Sequence, residues 1–321
     1  MSKPFNVNGE TIYLTVSVGV SMYPDDADDA VELLKNADAA MYRAKSKGKN
    51  QYQFYTRDLT ISADSRFSLE TQLRLALDND EFQLYYQPQV DFSNGKISGA
   101  EALIRWQHPE RGMVPPSDFI WLAEETGFIL ELGEWVLRTA CEQIHEWVDE
   151  GLFKGRVSVN LSSMQFSQPN IVTTVKQILS ETCCSPNNLE IEITESVLIG
   201  QPDEVARIVD AFKEEGIELA IDDFGTGYSS LAYLKRFQVD WLKIDGSFVR
   251  DVTTDANDVA IIRAIIDMGH ALGLSIIAEC VETEEQSEFL KSVGCDWAQG
   301  YLFGKPLSAN DFTNLLKKQT I

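Results

Sequence analysis

The segment Leu219-Ala220-Ile221-Asp222-Asp223-Phe224-Gly225-Thr226-Gly227 takes a short apolar run straight into two adjacent carboxylates. The apolar run reads as a buried strand. Gly225 and Gly227 then permit a backbone path that residues with a Cβ would resist. Neighbouring aspartates at the mouth of a buried strand repel each other unless something positive neutralises them. A divalent cation does so, and two cations sharing Asp222 suit the hydrolysis of a phosphate ester. Taken alone, the same residues also fit a solvated Asp-Asp turn that caps the next helix.

Other polar residues fall at the ends of apolar segments. Glu101, Leu103 and Arg105 alternate along one side of a strand over Ile97–Trp106. Asn160 stands near the end of a strand over Val157–Leu161, and Glu190 and Glu192 share a face of the strand Leu189–Thr194. Glu195 lies past that strand and need not share the face. Lys243 sits between Leu242 and Ile244, Glu279 follows the strand Ser275–Ala278, and Gln299 follows a short strand over Asp296–Ala298. Each residue has an ordinary reading: a solvent-facing Glu, a turn Asn, a salt-bridged Lys. Together, oxygen donors with one Lys and one Arg suit hard cations such as Mg²⁺ or Mn²⁺. The three histidines, His108, His145 and His270, lie at no predicted strand end, which argues against zinc or non-haem iron.

The elements that must position these groups alternate. Strands over Phe82–Val90 and Ile97–Trp106 are joined by the turn Ser93-Asn94-Gly95-Lys96, short enough to make the pair antiparallel. Helices are predicted over Pro116–Glu125, Leu130–Glu150, Ile171–Thr182, Asp203–Gly216, Ser229–Phe237, Ala256–Leu272, Thr283–Val293 and Ala309–Lys317. Further strands are predicted over Leu219–Ile221 and Trp241–Ile244. Strands and helices in this order predict an α/β fold, a (β/α)8 TIM-like barrel with an antiparallel first strand. A doubly wound open sheet is the competing architecture. Before it, a strand over Thr11–Val20, a helix through Val31 to Ala44 and a strand over Gln51–Tyr55 form a small α+β fragment. That fragment is too small to close a core of its own.

The balance of 50 acidic against 27 basic residues, a net charge of -23, repels nucleic-acid backbones and anionic membranes. Neither polymeric nucleic acid nor a membrane surface is an expected partner. The five cysteines are scattered without a CxxC pair, so no disulfide framework or zinc site is signalled and a reducing cytoplasm is the expected setting. No segment has the length and apolarity of a membrane span. The chain is expected to be soluble, or the cytosolic end of a longer membrane-tethered protein.

Two family resemblances follow from longer wording. VSVGVSMYP…ADAAMYRAKSKGKNQYQFY resembles the C-terminal third of a GGDEF-type diguanylate cyclase domain, over about the first 55 residues. The Gly-Gly-Asp-Glu-Phe signature is nowhere in the chain, so cyclase activity is not expected. From Phe67 to Lys318 the chain resembles the EAL-type cyclic di-GMP phosphodiesterases. The matching pieces are YYQPQV, GAEALIRW, VSVNLS, EIEITES, AIDDFGTGYSSL, LKIDGSFV, AECVET and AQGYLFGKPL, in that order. The implied division is a truncated GGDEF-like fragment over 1–56, a linker over 57–66 and an EAL domain over 67–321.

The resemblance implies hydrolysis of cyclic di-GMP to linear pGpG with two ions of Mg²⁺ or Mn²⁺. One metal would be held by Glu101, Asn160, Glu192 and Asp222, the other by Asp222 and Asp223 with Glu279 in direct or water-mediated contact. Lys243 would orient or deprotonate the attacking water, and a Lys of depressed pKa beside two metals would suit the latter role. Gln87, Leu103, Arg105, Asp223 and Gln299 would meet substrate, and Glu195 would anchor the Asp222–Ser230 loop. A homodimer is implied too. The alternative is a catalytically silent cyclic di-GMP receptor, as in relatives that have lost metal ligands. One departure is Cys280, where the family has Gly; a small buried thiol is the ordinary reading, with altered backbone freedom beside Glu279.

Overall fold

The computed structural model describes residues 5–7, 10–12, 16–27, 29–46, 50–56, 69–198, 202–225 and 231–320. They belong to two compact units, Met1–Glu81 with Trp106–Thr126, and Phe82–Arg105 with Gly127–Ile321.

In the first unit, Phe5–Val7 pairs antiparallel with Glu10–Ile12, and Val18–Val20 pairs parallel with Tyr52–Phe54. The predicted strand over Thr11–Val20 is therefore two strands, with residues 13–15 outside the described residues. Helix Ala30–Ser46 packs on the parallel pair so closely that a Cβ on Gly19 would lie 1.8 Å from the carbonyl oxygen of Ala37. Val18, Tyr52 and Phe54 remain exposed, as a pair of short strands with one helix requires. Strand Gly112–Val114 pairs antiparallel with Trp106–His108, and the turn Pro116–Asp118 precedes helix Ile120–Thr126. The single helix predicted over Pro116–Glu125 is thus divided, and Phe119 between the pieces is buried.

In the second unit, eight strands close into a barrel: β1 (Phe82–Asp91), β2 (Lys96–His108), β3 (Arg156–Leu161), β4 (Leu189–Thr194), β5 (Glu218–Phe224), β6 (Trp241–Ile244), β7 (Ser275–Ala278) and β8 (Trp297–Gln299). Parallel pairing runs unbroken from β2 to β8. β1 lies between β8 and β2 and is antiparallel to β8, so it opposes every other strand. The barrel with an antiparallel first strand is therefore present, and the open sheet is not.

The strands are β-branched and leucine-rich, and the helices bury one stripe against them. Ile129–Asp149 turns Leu137, Ala140, Ile144 and Trp147 inward. Trp147 meets Tyr86 edge-on at 4.8 Å and donates its indole N–H to Thr313 at 2.7 Å, tying this helix to Ala309–Thr320. Thr283 caps Glu284–Ser292 through a reciprocal bond with Gln286, which accounts for the start of that helix.

The barrel interior is polar in layers. At the starts of the strands, the guanidinium of Arg156 stacks 3.4 Å from the ring centroid of Trp241 and 4.4 Å from that of Trp297, and is paired with buried Glu190. Burial pushes the Glu190 carboxyl up, and Arg156 opposes that shift. Two residues further along β4, Glu192 begins the layer that opens at the strand ends.

Candidate active site

Five strands deliver one cluster. Lys243 of β6 is 1% exposed, and its Nζ lies 2.7 Å from Glu192, 2.7 Å from Glu279, 3.0 Å from Asp222 and 3.7 Å from Glu101. Parallel register explains the convergence: Glu101 is paired with Ser158, Asn160 with Glu192 and Glu192 with Ala220. Glu101 is thus paired two residues before Asn160, and Glu192 two residues before Asp222, and the tilt of barrel strands turns this stagger into a common height. Asn160 donates its Nδ2 to Glu101 Oε1 at 2.7 Å, which leaves its own amide oxygen to face other donors or a cation.

Adjacent side chains in a regular strand point to opposite faces. Asp222 and Asp223 escape that rule because β5 carries a bulge. Ile221 pairs with Leu242 but Phe224 with Ile244, so one extra residue of β5 is looped out. Asp223 takes a left-handed φ of 54° there, and an oxygen from each of Asp222, Asp223 and Glu279 falls within one group of radius suited to a cation, all within 4.8 Å of one another. The predicted strand end at Ile221 is corrected accordingly: the aspartates belong to the strand's bulged end, not to a turn beyond it. Gly225 follows with φ 97°, and a Cβ on it would come within 2.9 Å of the Phe248 ring. Gly227 and Ser229 lie outside the described residues.

Four carboxylates face one ammonium in this cluster, a net charge that proteins do not bury without protons or cations. Burial and the charge of Glu101 push Glu192 well up, against the pull of Lys243. Glu279 is pushed up to about 8 by burial, again against Lys243. Burial and Asp222 raise Asp223. Burial alone would lower Lys243, but Asp222, Glu101, Glu192 and Glu279 outweigh it and raise its pKa well above the ordinary lysine value. Without cations, then, the converging carboxylates hold Lys243 protonated. Glu192 Oε1 is buried without a hydrogen-bond partner, a lone pair that a hard cation would satisfy.

A cavity of about 300 Å³ opens beside the cluster, and Gln87, Glu101, Leu103, Asp222, Glu279 and Gln299 line it. Gln299 donates to Glu101 and, at 3.2 Å, to Gln87, which donates to the carbonyl of Gly304 at 3.1 Å. Arg105 is not in that lining. Its guanidinium turns back to the carbonyl of Ile104 at 2.8 Å and sits 5.8 Å from the Tyr85 ring centroid, and burial lowers its pKa. Glu195 begins the short helix Glu195–Leu198, and its Oε2 accepts the Gly225 N–H at 3.4 Å, the described start of the loop it was expected to anchor.

Glu282, Gly300 and Tyr301 also line the cavity and were missed. Tyr301 lies two positions after Gln299, a spacing that could have signalled it. Cys280 is exposed, lines the cavity and has φ 54°, so the expectation of a buried thiol is corrected. Glycine at that position would be free of the left-handed penalty that Cys280 bears.

The fold and site define a class, a (β/α)8 barrel with a polyacidic, lysine-centred mouth at its strand ends. Residues 70–306 match the sequence model described as EAL domain, and residues 1–51 match that described as diguanylate cyclase, GGDEF domain. The chain belongs to the EAL domain family, with a short GGDEF fragment at its N-terminus. It is 42% identical over 309 residues to the bifunctional diguanylate cyclase/cyclic di-GMP phosphodiesterase MucR of Pseudomonas aeruginosa, covering 96% of this chain and 45% of that protein. It is 38% identical over 315 residues to the cyclic di-GMP phosphodiesterase PdeR of Escherichia coli, covering 98% and 47%. The chain thus spans less than half the length of these relatives. The solved structure described as PaMucR phosphodiesterase, c-di-GMP complex, is similar with a TM-score of 0.74 and 43% identity, over 76% of this chain and 99% of that one.

Proposed function

We propose that this chain is a metal-dependent phosphodiesterase that hydrolyses cyclic di-GMP to linear pGpG. The observation that carries the proposal is the convergence of Glu101, Glu192, Asp222 and Glu279 on Lys243 beside an open cavity. The relatives named as cyclic di-GMP phosphodiesterases support the choice of substrate.

In this reading Glu101, Asn160, Glu192 and Asp222 hold one cation, and Asp222, Asp223 and Glu279 hold the other. Bound there, Mg²⁺ or Mn²⁺ supplies an acidified water and charge stabilisation for an in-line displacement at phosphorus. Lys243, held in its protonated form by the carboxylates, donates a hydrogen bond that orients the attacking water. It can take a proton only once that carboxylate field is neutralised. Gln87, Leu103 and Gln299 meet the dinucleotide from the cavity wall. Arg105 reaches a phosphate by leaving the Ile104 carbonyl, which its planar fork is suited to do. Glu195 holds the backbone at Gly225 and so the Asp222–Asp223 bulge.

The domain division at 57–66, which lies outside the described residues, the homodimer and the cytoplasmic setting belong to the same proposal. No described helix is long and apolar enough to cross a membrane. The test is release of pGpG from cyclic di-GMP with Mg²⁺ or Mn²⁺ and with EDTA. Turnover with metal that EDTA abolishes is the expected result. Tight binding of the intact dinucleotide without turnover would replace the enzyme with a receptor.

A further inference from the structure

Gln89 stands on β1 two residues beyond Gln87 and is 1% exposed. Its Nε2 donates to Ser158 Oγ at 3.1 Å and to Gln299 Oε1 at 3.0 Å. Gln299 Nε2 in turn donates to Gln87 Oε1 and to Glu101 Oε2, while Asn160 holds the other oxygen of Glu101. Space for the Gln89 amide comes from Gly99 on β2, where a Cβ would lie 2.4 Å from Gln89 Oε1.

The direction of these bonds follows from chemistry. An ionised carboxylate only accepts, so Glu101 demands the NH2 end of the Gln299 amide. The oxygen end of Gln299 is then forced inward, where it is buried and requires a donor. Gln89 provides that donor. An acceptor in its place would favour the reversed Gln299 amide, whose oxygen would face the Glu101 carboxylate and push it aside.

We propose that Gln89 is a positioning residue: by fixing the orientation of the Gln299 amide it holds the Glu101 carboxylate where it can ligate a cation, without touching substrate or metal itself. The cation part rests on the reading given under the proposed function. The relay is built from residues of β1, β8, β2 and β3, the strands on either side of the antiparallel junction. It is the polar framework that ties that junction to the carboxylate cluster.

The test uses the whole chain with Gln89→Leu, which removes the donor without adding a charge. Gln89→Met serves as a second donor-free variant should Gln89→Leu not fold. Ser158→Ala removes the other acceptor of Gln89 and leaves Gln299 served. Mn²⁺ affinity by calorimetry is expected to fall about tenfold in Gln89→Leu, the scale of one lost buried hydrogen bond to a charged network. The kcat at limiting Mn²⁺ falls with it, KM for cyclic di-GMP stays unchanged and excess Mn²⁺ restores the rate. Ser158→Ala stays within about twofold of the parent, on the same scale. A crystal structure of Gln89→Leu is expected to show the Gln299 amide out of contact with Glu101. Parental Mn²⁺ affinity with that contact intact overturns the inference, as does an equal loss in Ser158→Ala. A parent chain that binds Mn²⁺ yet leaves cyclic di-GMP uncut overturns the hydrolase reading instead, and the affinities still decide the role of Gln89.

Discussion

Lys243 Nζ and Glu192 Oε2 meet 2.7 Å apart inside the barrel, with side chains 1% and 0% exposed. A pair so buried is not a surface salt bridge of negligible energy. Each charge is desolvated and depends on the other, and removing one partner strands the other. In the proposed function Glu192 holds a cation and Lys243 orients water, so their mutual dependence would couple the folding of the barrel to that chemistry.

Lys243→Met keeps the aliphatic stem and removes the ammonium. The proposed role predicts a rate loss of at least about 100-fold, the usual scale for a residue aligning a reacting group, with substrate affinity retained. Single-turnover kinetics beside equilibrium binding of cyclic di-GMP checks this. An unchanged rate removes Lys243 from the reaction.

The carboxylates predict how the metal-free protein responds to pH. Glu279 has its folded-state pKa raised from 4.5 to about 8, so the folded protein binds more protons than the unfolded chain in that interval. The stability this group contributes is complete below about 4.5 and is lost as pH rises through about 8. Thermal melts in EDTA are expected to fall over that window. Ligation requires ionised carboxylates, so Mn²⁺ binding near neutral pH should release protons and tighten as pH rises. Calorimetry in buffers of different ionisation enthalpy reads that release, and its absence would mean the cluster is already ionised without metal.

Glu195→Gln keeps the size of the side chain but weakens its hold on the Gly225 N–H. A charged acceptor is worth about 1 kcal/mol more than a neutral one, so a loss of roughly fivefold to tenfold in Mn²⁺ affinity or rate is expected. The measurement is metal affinity beside turnover for the two proteins. Parental values in both would separate Glu195 from the Asp222–Asp223 bulge.

At the other end of the barrel, Arg156→Met leaves Glu190 buried without its counter-charge. Breaking such a pair costs about 3–5 kcal/mol. Urea denaturation of the whole chain should show that loss, and Arg156→Met with Glu190→Leu should recover most of it. A double variant as unstable as the single one would assign the cost to lost stacking on Trp241 and Trp297 instead.

Much of this site was readable from the residues. Glu101, Glu192 and Lys243 could be placed because a strand alternates faces, and the stagger of tilted barrel strands then brings them together. The bulge at Asp222 and Asp223 could not, since adjacent residues on one face contradict alternation. The helices Ser163–Phe166, Glu195–Leu198 and Gly246–Arg250 are too short to produce a helical period and were absent from the reading. Gln89 and Arg156 look ordinary along the chain, and their roles arise only from partners on other strands. The charge state of Lys243 without metal was not legible for the same reason: it depends on how many carboxylates reach it, and four do.

The most direct measurement is anomalous scattering at the manganese edge from crystals of this chain grown with Mn²⁺ and cyclic di-GMP. Two manganese peaks are expected, one bound by Glu101, Asn160, Glu192 and Asp222, the other by Asp222, Asp223 and Glu279, with a phosphate of the dinucleotide against both. Dinucleotide seated in the cavity with Lys243 still paired to the carboxylates, and no manganese among them, would contradict the account.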